Sequence, residues 1–309
     1  VERHEVGAEL VTLYTDPFRL HDDSETGRAH GEEWGVIGVS GEKTRNYLVW
    51  NPCHYLPAVR EWVATEMERV MRETGADGIR LDEYGHRGWA CFSKLHEHTF
   101  QETGASQWNK CLAETCRMVR QAMDEVAPGS VLTTEHPGYD YLMRHLEGCI
   151  TYDLTLQATP LRPLECNLQR FYFPECKAYE LDHQGADPLS RKKFWNAVES
   201  FGRYFPANMY TTLKENEEVY QGRDSYPLLP TLQPYLYCNR FAGAGKTLYH
   251  LYNALGHTFE GSALALAANA DRHVVELLRC EELLVVEGRV SVYLERGDVA
   301  CVAVTPSRK

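Results

Sequence analysis

Apolar positions up to about residue 235 alternate between helical and extended spacing. Helical segments place apolar residues three or four positions apart, whereas strand-like runs are short and rich in Val, Ile, Leu and Tyr. The predicted strands are Glu9–Thr15, Gly78–Asp82, Val131–Thr134, Cys149–Leu154, Lys177–Leu181 and Pro206–Tyr210. The predicted helices are Pro57–Thr74, Ser106–Val126, Tyr139–Leu146 and Leu189–Tyr204. This alternation is typical of an α/β protein with parallel strands.

Two stretches between these elements have distinct local signals. Gly75 follows the helix Pro57–Thr74 directly and is the expected C-terminal cap. The polar stretch from Arg19 to Asn46 is too long for an ordinary connection, so we interpret it as a functional loop.

The pattern changes after residue 235, where short strand-like runs follow one another without helical spacing. They are Leu236–Phe241, Thr247–Asn253, Val274–Leu278, Leu283–Val286, Val290–Leu294 and Val299–Val304. Turns containing Gly, Asn and Asp join them, as in antiparallel sheets. We therefore expect an α/β domain over residues 1–234 and a small antiparallel β domain over residues 235–309.

Composition narrows the classes of protein. Of the 309 residues, 43% are hydrophobic and 25% are charged, which is ordinary for a globular chain and argues against disorder. No apolar run approaches the roughly 18 residues of a membrane-spanning helix. The net charge of −12 disfavours nucleic acid as the main partner, because such a surface repels phosphates.

Ten cysteines are scattered along the chain, and none forms a C-x-x-C pair. This spacing does not support a zinc ribbon or a thioredoxin-type motif. A chain of this size does not depend on disulfides, so we expect buried thiols in a reducing compartment, which slightly favours a cytoplasmic location.

The densest group of chemically active residues follows the predicted strand at residue 78. Arg80, Asp82, Glu83 and His86 come at or just after its C-terminal end, where barrel proteins place their active sites. Arg80 and Asp82 are two positions apart and share one face of the strand. An arginine beside a carboxylate favours the ionised form, as a nucleophile requires.

A second carboxylate, Glu135, ends the next predicted strand. Adjacent barrel strands bring such groups close enough to flank one bond, and a retaining glycosidase needs them about 5–5.5 Å apart. We therefore assign Asp82 as nucleophile, Glu135 as acid and base, and Arg80 as the group that keeps Asp82 ionised.

Other polar and aromatic residues fall at later strand ends or in loops near the same site. Asp182 and His183 are candidates for binding substrate hydroxyls. The remaining candidates for substrate binding are Tyr14, Asp16, Trp34, Tyr84, His86 and Asp153.

The segment Arg80-Leu-Asp-Glu-Tyr-Gly-His86 resembles the R-x-D-x-x-x-H region of the α-amylase superfamily, and the wider layout is similar to α-galactosidase-like enzymes. The resemblance implies a TIM (β/α)8-type barrel with a C-terminal antiparallel β domain. It also implies retaining hydrolysis of α-linked O-glycosidic bonds in an oligo- or polysaccharide, with carbohydrate as partner and no cofactor.

Some features differ from that family. Asp16-Pro17 stands where the strand-three D-x-x-x-N-H motif is expected, and Asp182-His183 reverses the usual His-Asp order. If Asp82 ends strand four, Glu9–Thr15 is strand three. Residues 1–234 would then hold strands three to eight, and we expect a barrel incomplete at its N-terminus, from a longer protein.

Two alternative functions stay open. Asp82, Glu135 and Asp153 could bind a divalent metal, as in enolase-like barrel lyases, with His86, His136 or His183 as base. Arg80 argues against this because it would oppose a cation. The other alternative is a catalytically degenerate barrel that binds a glycan.

Two further motifs favour no function. Ala242-Gly-Ala-Gly-Lys-Thr247 lacks the first glycine of a P-loop, and we interpret it as a hairpin turn. His96-Glu-His98 is not the H-E-x-x-H motif. On a helix its two histidines would point to different faces, so we expect no metal site there.

Overall fold

The computed structural model describes residues 10–85, 89–96, 98, 105–136, 140–151, 166–181, 187–201, 206–267 and 272–306. Its contacts divide the chain into two compact units, with the boundary between Ile150 and Thr151. In the described part of the chain, no helix is both long and apolar enough to cross a membrane.

The first unit combines parallel strands with helices. Its strands are β1 (Thr12–Thr15), β2 (Arg45–Asn46), β3 (Val49–Trp50), β4 (Gly78–Leu81), β5 (Val131–Thr134) and β6 (Gly148–Thr151). Its helices are α1 (Glu25–Trp34), α2 (Pro57–Thr74), α3 (Ala105–Val126) and α4 (Asp140–Met143). Strands β1, β4, β5 and β6 are parallel neighbours in that order, whereas β2 and β3 form a short antiparallel pair.

The two long helices confirm the predicted periodicity. Helix α2 begins at Pro57, which suits a first helical position because proline has no amide hydrogen to leave unbonded. It ends at Gly75, whose φ of 63° is left-handed and whose amide donates to Met71 O. Helix α3 packs against α2. Its buried face is formed by Trp108, Leu112, Cys116, Val119 and Met123.

The predicted loop from Arg19 to Asn46 contains a helix, α1, which the sequence pattern did not reveal. Its inward face is formed by Gly27, Gly31 and Trp34, so most of the buried positions carry no apolar side chain. A Cβ on Gly31 would lie 2.4 Å from Nε1 of Trp50. Glycine therefore lets the helix approach the indole, and the same choice removes the hydrophobic periodicity.

The second unit begins with helices and two parallel strands. Helices α5 (Leu168–Tyr172), α6 (Asp187–Trp195), α7 (Ala207–Glu215) and α8 (Glu217–Tyr220) accompany strands β7 (Lys177–Leu181) and β8 (Glu199–Phe201). Two predictions were wrong here. The predicted helix Leu189–Tyr204 ends at Trp195 and gives way to β8, and the predicted strand Pro206–Tyr210 is the start of α7.

The reason is visible in α7. Met209, Thr212 and Leu213 are its buried residues, and they follow the i, i+3, i+4 spacing of a helix. The segment assigned from sequence ended at Tyr210 and was too short to show that spacing.

The rest of the second unit is antiparallel. Its strands are β9 (Asp224–Leu229), β10 (Leu236–Gly243), β11 (Lys246–Asn253), β12 (Phe259–Ala265), β13 (Arg272–Glu276), β14 (Glu281–Glu282), β15 (Val285–Val286), β16 (Arg289–Leu294) and β17 (Val299–Pro306). One sheet has the order β14-β13-β17-β11-β10-β9, and the other has the order β12-β16-β15. The sequence pattern missed β9 and β12.

The larger sheet is buried on both faces at its centre. Phe241 and Leu248 pack in one core with Phe194 and Trp195 of α6. Side chains from the same strands that point the other way join a second core with Val290 and other residues of the smaller sheet. Because successive side chains of a strand point to opposite faces of the sheet, the same strands contribute residues to both cores.

The segment resembling a P-loop forms the predicted hairpin. Gly243 pairs with Lys246 across a two-residue turn, and the turn residues Ala244 and Gly245 have φ values of 51° and 73°. Two successive positive φ values are typical of the type I′ turn that fits strand twist.

The antiparallel sheet includes β9, which precedes the predicted boundary at residue 235. The division of the chain into residues 1–234 and 235–309 stays a prediction.

The prediction that His96 and His98 point apart was wrong, because neither residue is helical. Their Nε2 atoms lie 3.0 Å from one another.

Candidate active site at the ends of parallel strands

Three carboxyl groups follow three neighbouring parallel strands at the same level. Thr15, Leu81 and Thr134 are in register at the C-terminal ends of β1, β4 and β5. The next residues along the chain are Asp16, Asp82 and Glu135. Parallel strands therefore bring together residues that lie far apart in sequence.

Backbone hydrogen bonds continue the strand pairing through these residues. The amide of Asp82 donates to Thr15 O at 2.7 Å, and the amide of Glu135 donates to Leu81 O at 3.0 Å. The amide of Glu83 leaves the ladder and donates to Oε2 of Glu135 at 2.9 Å. The side chains of Asp82 and Glu135 share a hydrogen bond as well. The two carboxyl groups therefore interact directly, as expected for a pair that flanks one bond.

This arrangement alters the acidity of Asp82, whose side chain is buried. Burial raises its pKa above the usual 3.8, because a charge loses its hydration there. The hydroxyl of Tyr14 lowers the pKa of Asp82 by donating to it, and Glu135 raises that pKa through its charge and the shared hydrogen bond.

Arg80 also lowers the pKa of Asp82, but burial outweighs it. The role of Arg80 in keeping Asp82 ionised stays a prediction, and burial of Asp82 opposes it. Two carboxyl groups in contact favour holding one proton between them, because a second negative charge is costly at that distance.

Tyr14, on the neighbouring strand β1, interacts with Asp82 of this pair. Tyr14 is 59% exposed, and the Arg80 guanidinium carbon lies 5.2 Å from its ring centroid. Desolvation of the hydroxyl raises the pKa of Tyr14, and the contact with Asp82 raises it further. The phenol therefore stays protonated and acts as a donor, while the exposed ring is available for contact with a ligand.

Arg19 links Asp16 to Glu83 and was not identified from the sequence. Its guanidinium is 2.6 Å from Oε1 of Glu83 and also bonds the carboxylate of Asp16. Asp16 accepts from the amide of Phe18 at 3.1 Å. Burial nevertheless raises the pKa of Asp16, with Arg19 opposing the rise. The spacing of Arg19 three residues after Asp16 was the signal that could have revealed the pair.

Glu83 has an unusual backbone for a residue with a side chain. Its φ is 56°, a left-handed value that costs energy outside glycine. The ion pair with Arg19 and the hydrogen bond that its amide donates to the carboxylate of Glu135 hold it in that conformation. Strain at a strand end beside two carboxyl groups is characteristic of functional sites.

Two predicted substrate-binding residues belong to the core instead. Tyr84 has no exposed surface, and its ring stacks on Phe18 at 4.5 Å. Trp34 is 8% exposed, with its ring stacked on His30 at 4.3 Å. A sugar needs an exposed ring face, so both predictions were wrong.

Four other predicted site residues lie outside the described residues: His86, Asp153, Asp182 and His183. Their roles stay predictions, and the same holds for a metal set that includes Asp153.

Comparisons with known proteins place the fold among glycoside hydrolases. Neither protein families nor curated proteins give a match to this sequence. Solved structures do match, and α-amylases and other glycosidases of the TIM-barrel type are among them.

Three of these structures illustrate the likeness. A noncanonic maltogenic α-amylase from Thermotoga neapolitana has a TM-score of 0.63 and 12% identity, with 98% of this chain and 79% of that chain covered. An α-amylase from Lactobacillus plantarum has a TM-score of 0.62 and 12% identity, covering 97% and 79%. A GH36 α-galactosidase from Geobacillus stearothermophilus has a TM-score of 0.65 and 10% identity, covering 98% of this chain and 45% of that one. The resemblance predicted from the sequence is confirmed at the level of the fold.

Proposed function

We propose that this protein is a glycoside hydrolase that acts on an oligo- or polysaccharide. The observation that carries the proposal is the contact between Asp82 and Glu135 at the carboxyl ends of adjacent parallel strands. This edge is where TIM-barrel enzymes carry their catalytic groups, and glycosidases use two such carboxyl groups. We also propose that the parallel strands belong to a (β/α)8-type barrel, and that the antiparallel strands from β9 onward form the C-terminal β domain.

The proposed mechanism is a double displacement with retention. The carboxylate of Asp82 attacks the anomeric carbon and forms a glycosyl ester, while Glu135 gives its proton to the leaving oxygen. Glu135 then removes a proton from water, and the hydroxide displaces Asp82. The first half-reaction needs one proton between the two carboxyl groups, which is the state that their contact favours. In the second, Asp82 is an ester and Glu135 is ionised, ready to take the proton from water.

The first step needs Asp82 ionised, whereas burial favours its protonated form in the unliganded protein. We propose that a sugar bound between the two groups leaves the proton on Glu135, as the first step requires. Tyr14 and Arg80 would then stabilise ionised Asp82.

The surrounding residues have proposed roles in binding. Tyr14 has an exposed ring for sugar stacking, and Asp16 stands at the level of the reacting pair. As from the sequence, we propose Asp182 and His183 for substrate hydroxyls, and His86 and Asp153 as further substrate-binding residues.

Hydrolysis of aryl glycosides and oligosaccharides by purified protein tests the proposal. Asp82→Asn and Glu135→Gln should each lower turnover by about 10²–10⁴-fold or more on a substrate that the wild type cleaves. Asp124→Asn and Glu125→Gln make the same chemical changes on the exposed side of α3 and should leave turnover unchanged. Losses below tenfold in both site variants would contradict the assignment.

The stereochemistry tests the mechanism separately from the activity. Proton NMR of the first product should show the anomeric configuration of the substrate. A fluorinated glycosyl fluoride should form a slowly hydrolysed ester, located on Asp82 by peptide mass spectrometry. An inverted product with no ester would still support a glycoside hydrolase, but it would mean that the mechanism is a single displacement with inversion.

The contact between the carboxyl groups also favours a second candidate, a barrel that binds glycan without cleaving it. In that case wild type and Asp82→Asn would bind oligosaccharides with similar affinity, and neither would release reducing sugar.

A further inference from the structure

Four potential metal ligands meet in the first unit, apart from the carboxyl pair. They are Cys53, Cys91, His96 and His98, and one ligand atom from each lies within 4.8 Å of all the others. Cys53 comes from the segment between β3 and α2, whereas the other three come from the segment between β4 and α3. Both cysteines are fully buried, and both histidines are half-buried.

Three of the distances between these atoms are close to the edges of a small tetrahedron. Sγ of Cys53 lies 3.7 Å from Nε2 of His98, and Sγ of Cys91 lies 3.5 Å from Nε2 of His96. Zinc bonds of about 2.3 Å to sulfur and about 2.0–2.1 Å to nitrogen give tetrahedral S···N edges of about 3.5 Å. The separation of 3.0 Å between the histidine Nε2 atoms is close to the N···N edge of about 3.4 Å.

Groups around the cluster orient the ligands as metal sites require. Nδ1 of His96 donates to Glu33 O at 2.8 Å, which leaves Nε2 without a proton and directed at the cluster. The amide of Ile37 donates to Sγ of Cys91 at 3.4 Å. The amide of Tyr55 donates to the sulfur of Cys53. Donors of this kind stabilise a thiolate, the form that binds metal.

We propose that Cys53, Cys91, His96 and His98 bind one Zn²⁺ ion in a closed structural site. Two thiolates and two imidazoles in a tetrahedron are the preferred ligands of structural zinc. An iron–sulfur cluster of the Rieske type binds its Cys and His pairs to different irons, whereas here each sulfur is in contact with a histidine nitrogen.

The ion would tie together two segments next to the candidate active site. The segment that carries Cys91, His96 and His98 follows Asp82 and Glu83 in the chain. Cys53 is anchored to α1 by its amide, which donates to Trp34 O at 2.7 Å. Zinc would therefore hold the loop after β4 against the segment before α2, and its role is to position that loop. This proposal does not depend on the glycosidase assignment.

Metal analysis of the reduced wild-type chain, purified without a metal-affinity step, tests the site. Elemental analysis should find about one zinc per chain, and the metal-free protein should bind Zn²⁺ against a chromophoric chelator. Substitution with Co²⁺ should give the intense visible bands of a tetrahedral site and the thiolate charge-transfer band. These measurements need no variant, so they stand even if a ligand substitution impairs folding.

Ligand variants locate the site. Cys91→Ser and His98→Asn should reduce bound zinc to about a tenth or less. Cys116→Ala alters a buried thiol on α3 outside the cluster and should bind as the wild type does. A chelator should lower the melting temperature of wild type and Cys116→Ala by several degrees, and that of folded Cys91→Ser by much less.

Three results would overturn the proposal. One is a reduced wild-type chain that takes up neither Zn²⁺ nor Co²⁺. Another is a Cys53–Cys91 disulfide found in protein isolated with its thiols alkylated at lysis. The third is full zinc uptake by folded Cys91→Ser and His98→Asn, which would mean that the metal binds elsewhere.

Discussion

The backbone amide of Glu83 donates a hydrogen bond of 2.9 Å to the carboxylate of Glu135, which follows the neighbouring strand. Glu83 itself has a left-handed φ of 56°, so the chain leaves the strand direction directly after this amide. The strained residue that follows Asp82 thus fixes the position of the second carboxyl group, so both candidate catalytic groups are held by one short segment.

Replacement of Asp82 by asparagine should stabilise the protein at neutral pH. The pKa of Asp82 is raised in the folded state, so unfolding releases the carboxyl to water, where it ionises more readily. The wild type therefore loses stability as pH rises from about 3.8 through the folded pKa, and the penalty persists above it. We expect Asp82→Asn to gain about 0.5–2 kcal/mol at pH 7, as in other active-site neutralisations.

Urea unfolding at pH 7 and pH 3 measures this effect. The difference between Asp82→Asn and wild type should shrink at the lower pH, which lies below the usual pKa of 3.8, so both side chains are then mostly neutral. The surface variant Asp124→Asn should show no such gain. A variant less stable than wild type at pH 7 would mean that Asp82 contributes favourable contacts as an ion.

Replacement of Tyr14 by phenylalanine should move the acidic limb of the activity profile to higher pH. The hydroxyl of Tyr14 lowers the pKa of Asp82 by hydrogen bonding to the ionised form. Without it, Asp82 ionises at higher pH, and the nucleophile is available over a narrower range. The profile of kcat/KM against pH measures the shift, and Tyr293→Phe, on an exposed strand residue, is the control. If the acidic limb stays at the same pH in Tyr14→Phe, Tyr14 does not influence the ionisation of Asp82.

Arg19 should matter more for stability than an arginine in an exposed pair. Its loss leaves the buried carboxylate of Glu83 without its ion-pair partner at 2.6 Å. We expect Arg19→Gln to lower the free energy of unfolding by about 1–3 kcal/mol, a value reduced because the arginine is partly exposed. The pair of Arg72 and Glu68 on α2 is exposed, so Arg72→Gln should cost about 0.5 kcal/mol or less. Equal losses in thermal or urea unfolding would contradict this reading of the network.

Substitution by alanine should have different effects at Gly78, the first residue of β4, and at Gly75, which ends α2. A Cβ on Gly78 would lie 2.1 Å from Val131 O, within the pairing of β4 and β5, so Gly78→Ala must separate the strands. We expect a cost of about 2–3 kcal/mol and reduced activity, because Asp82 and Glu135 follow these strands. Gly75 has open space and a φ of 63°, so Gly75→Ala should cost only about 1 kcal/mol of backbone strain. Activity per folded molecule distinguishes the two, and a similar loss in both would contradict the steric argument.

Local order in this protein could be read from the sequence wherever apolar side chains mark the buried face. Helices α2 and α3 have such a face, and the strands that precede Asp82 and Glu135 are apolar. These four elements were therefore predicted, and Asp82 and Glu135 were proposed as catalytic residues from their positions at the strand ends. Helix α1 lacks it because Gly27 and Gly31 form its buried face.

The sequence by itself determined which residue types follow each strand, and the rule for parallel strands then placed Asp82 beside Glu135. Tertiary structure decided what each side chain meets. It buried Tyr84 and Trp34, joined Arg19 to Glu83, and raised the pKa of Asp82 despite Arg80. It also brought Cys53 to Cys91, His96 and His98, which no spacing rule connects. The physical reason is that periodicity records only whether a position is buried, whereas hydrogen bonds, charge and metal ligation depend on contacts between segments that are distant in the chain.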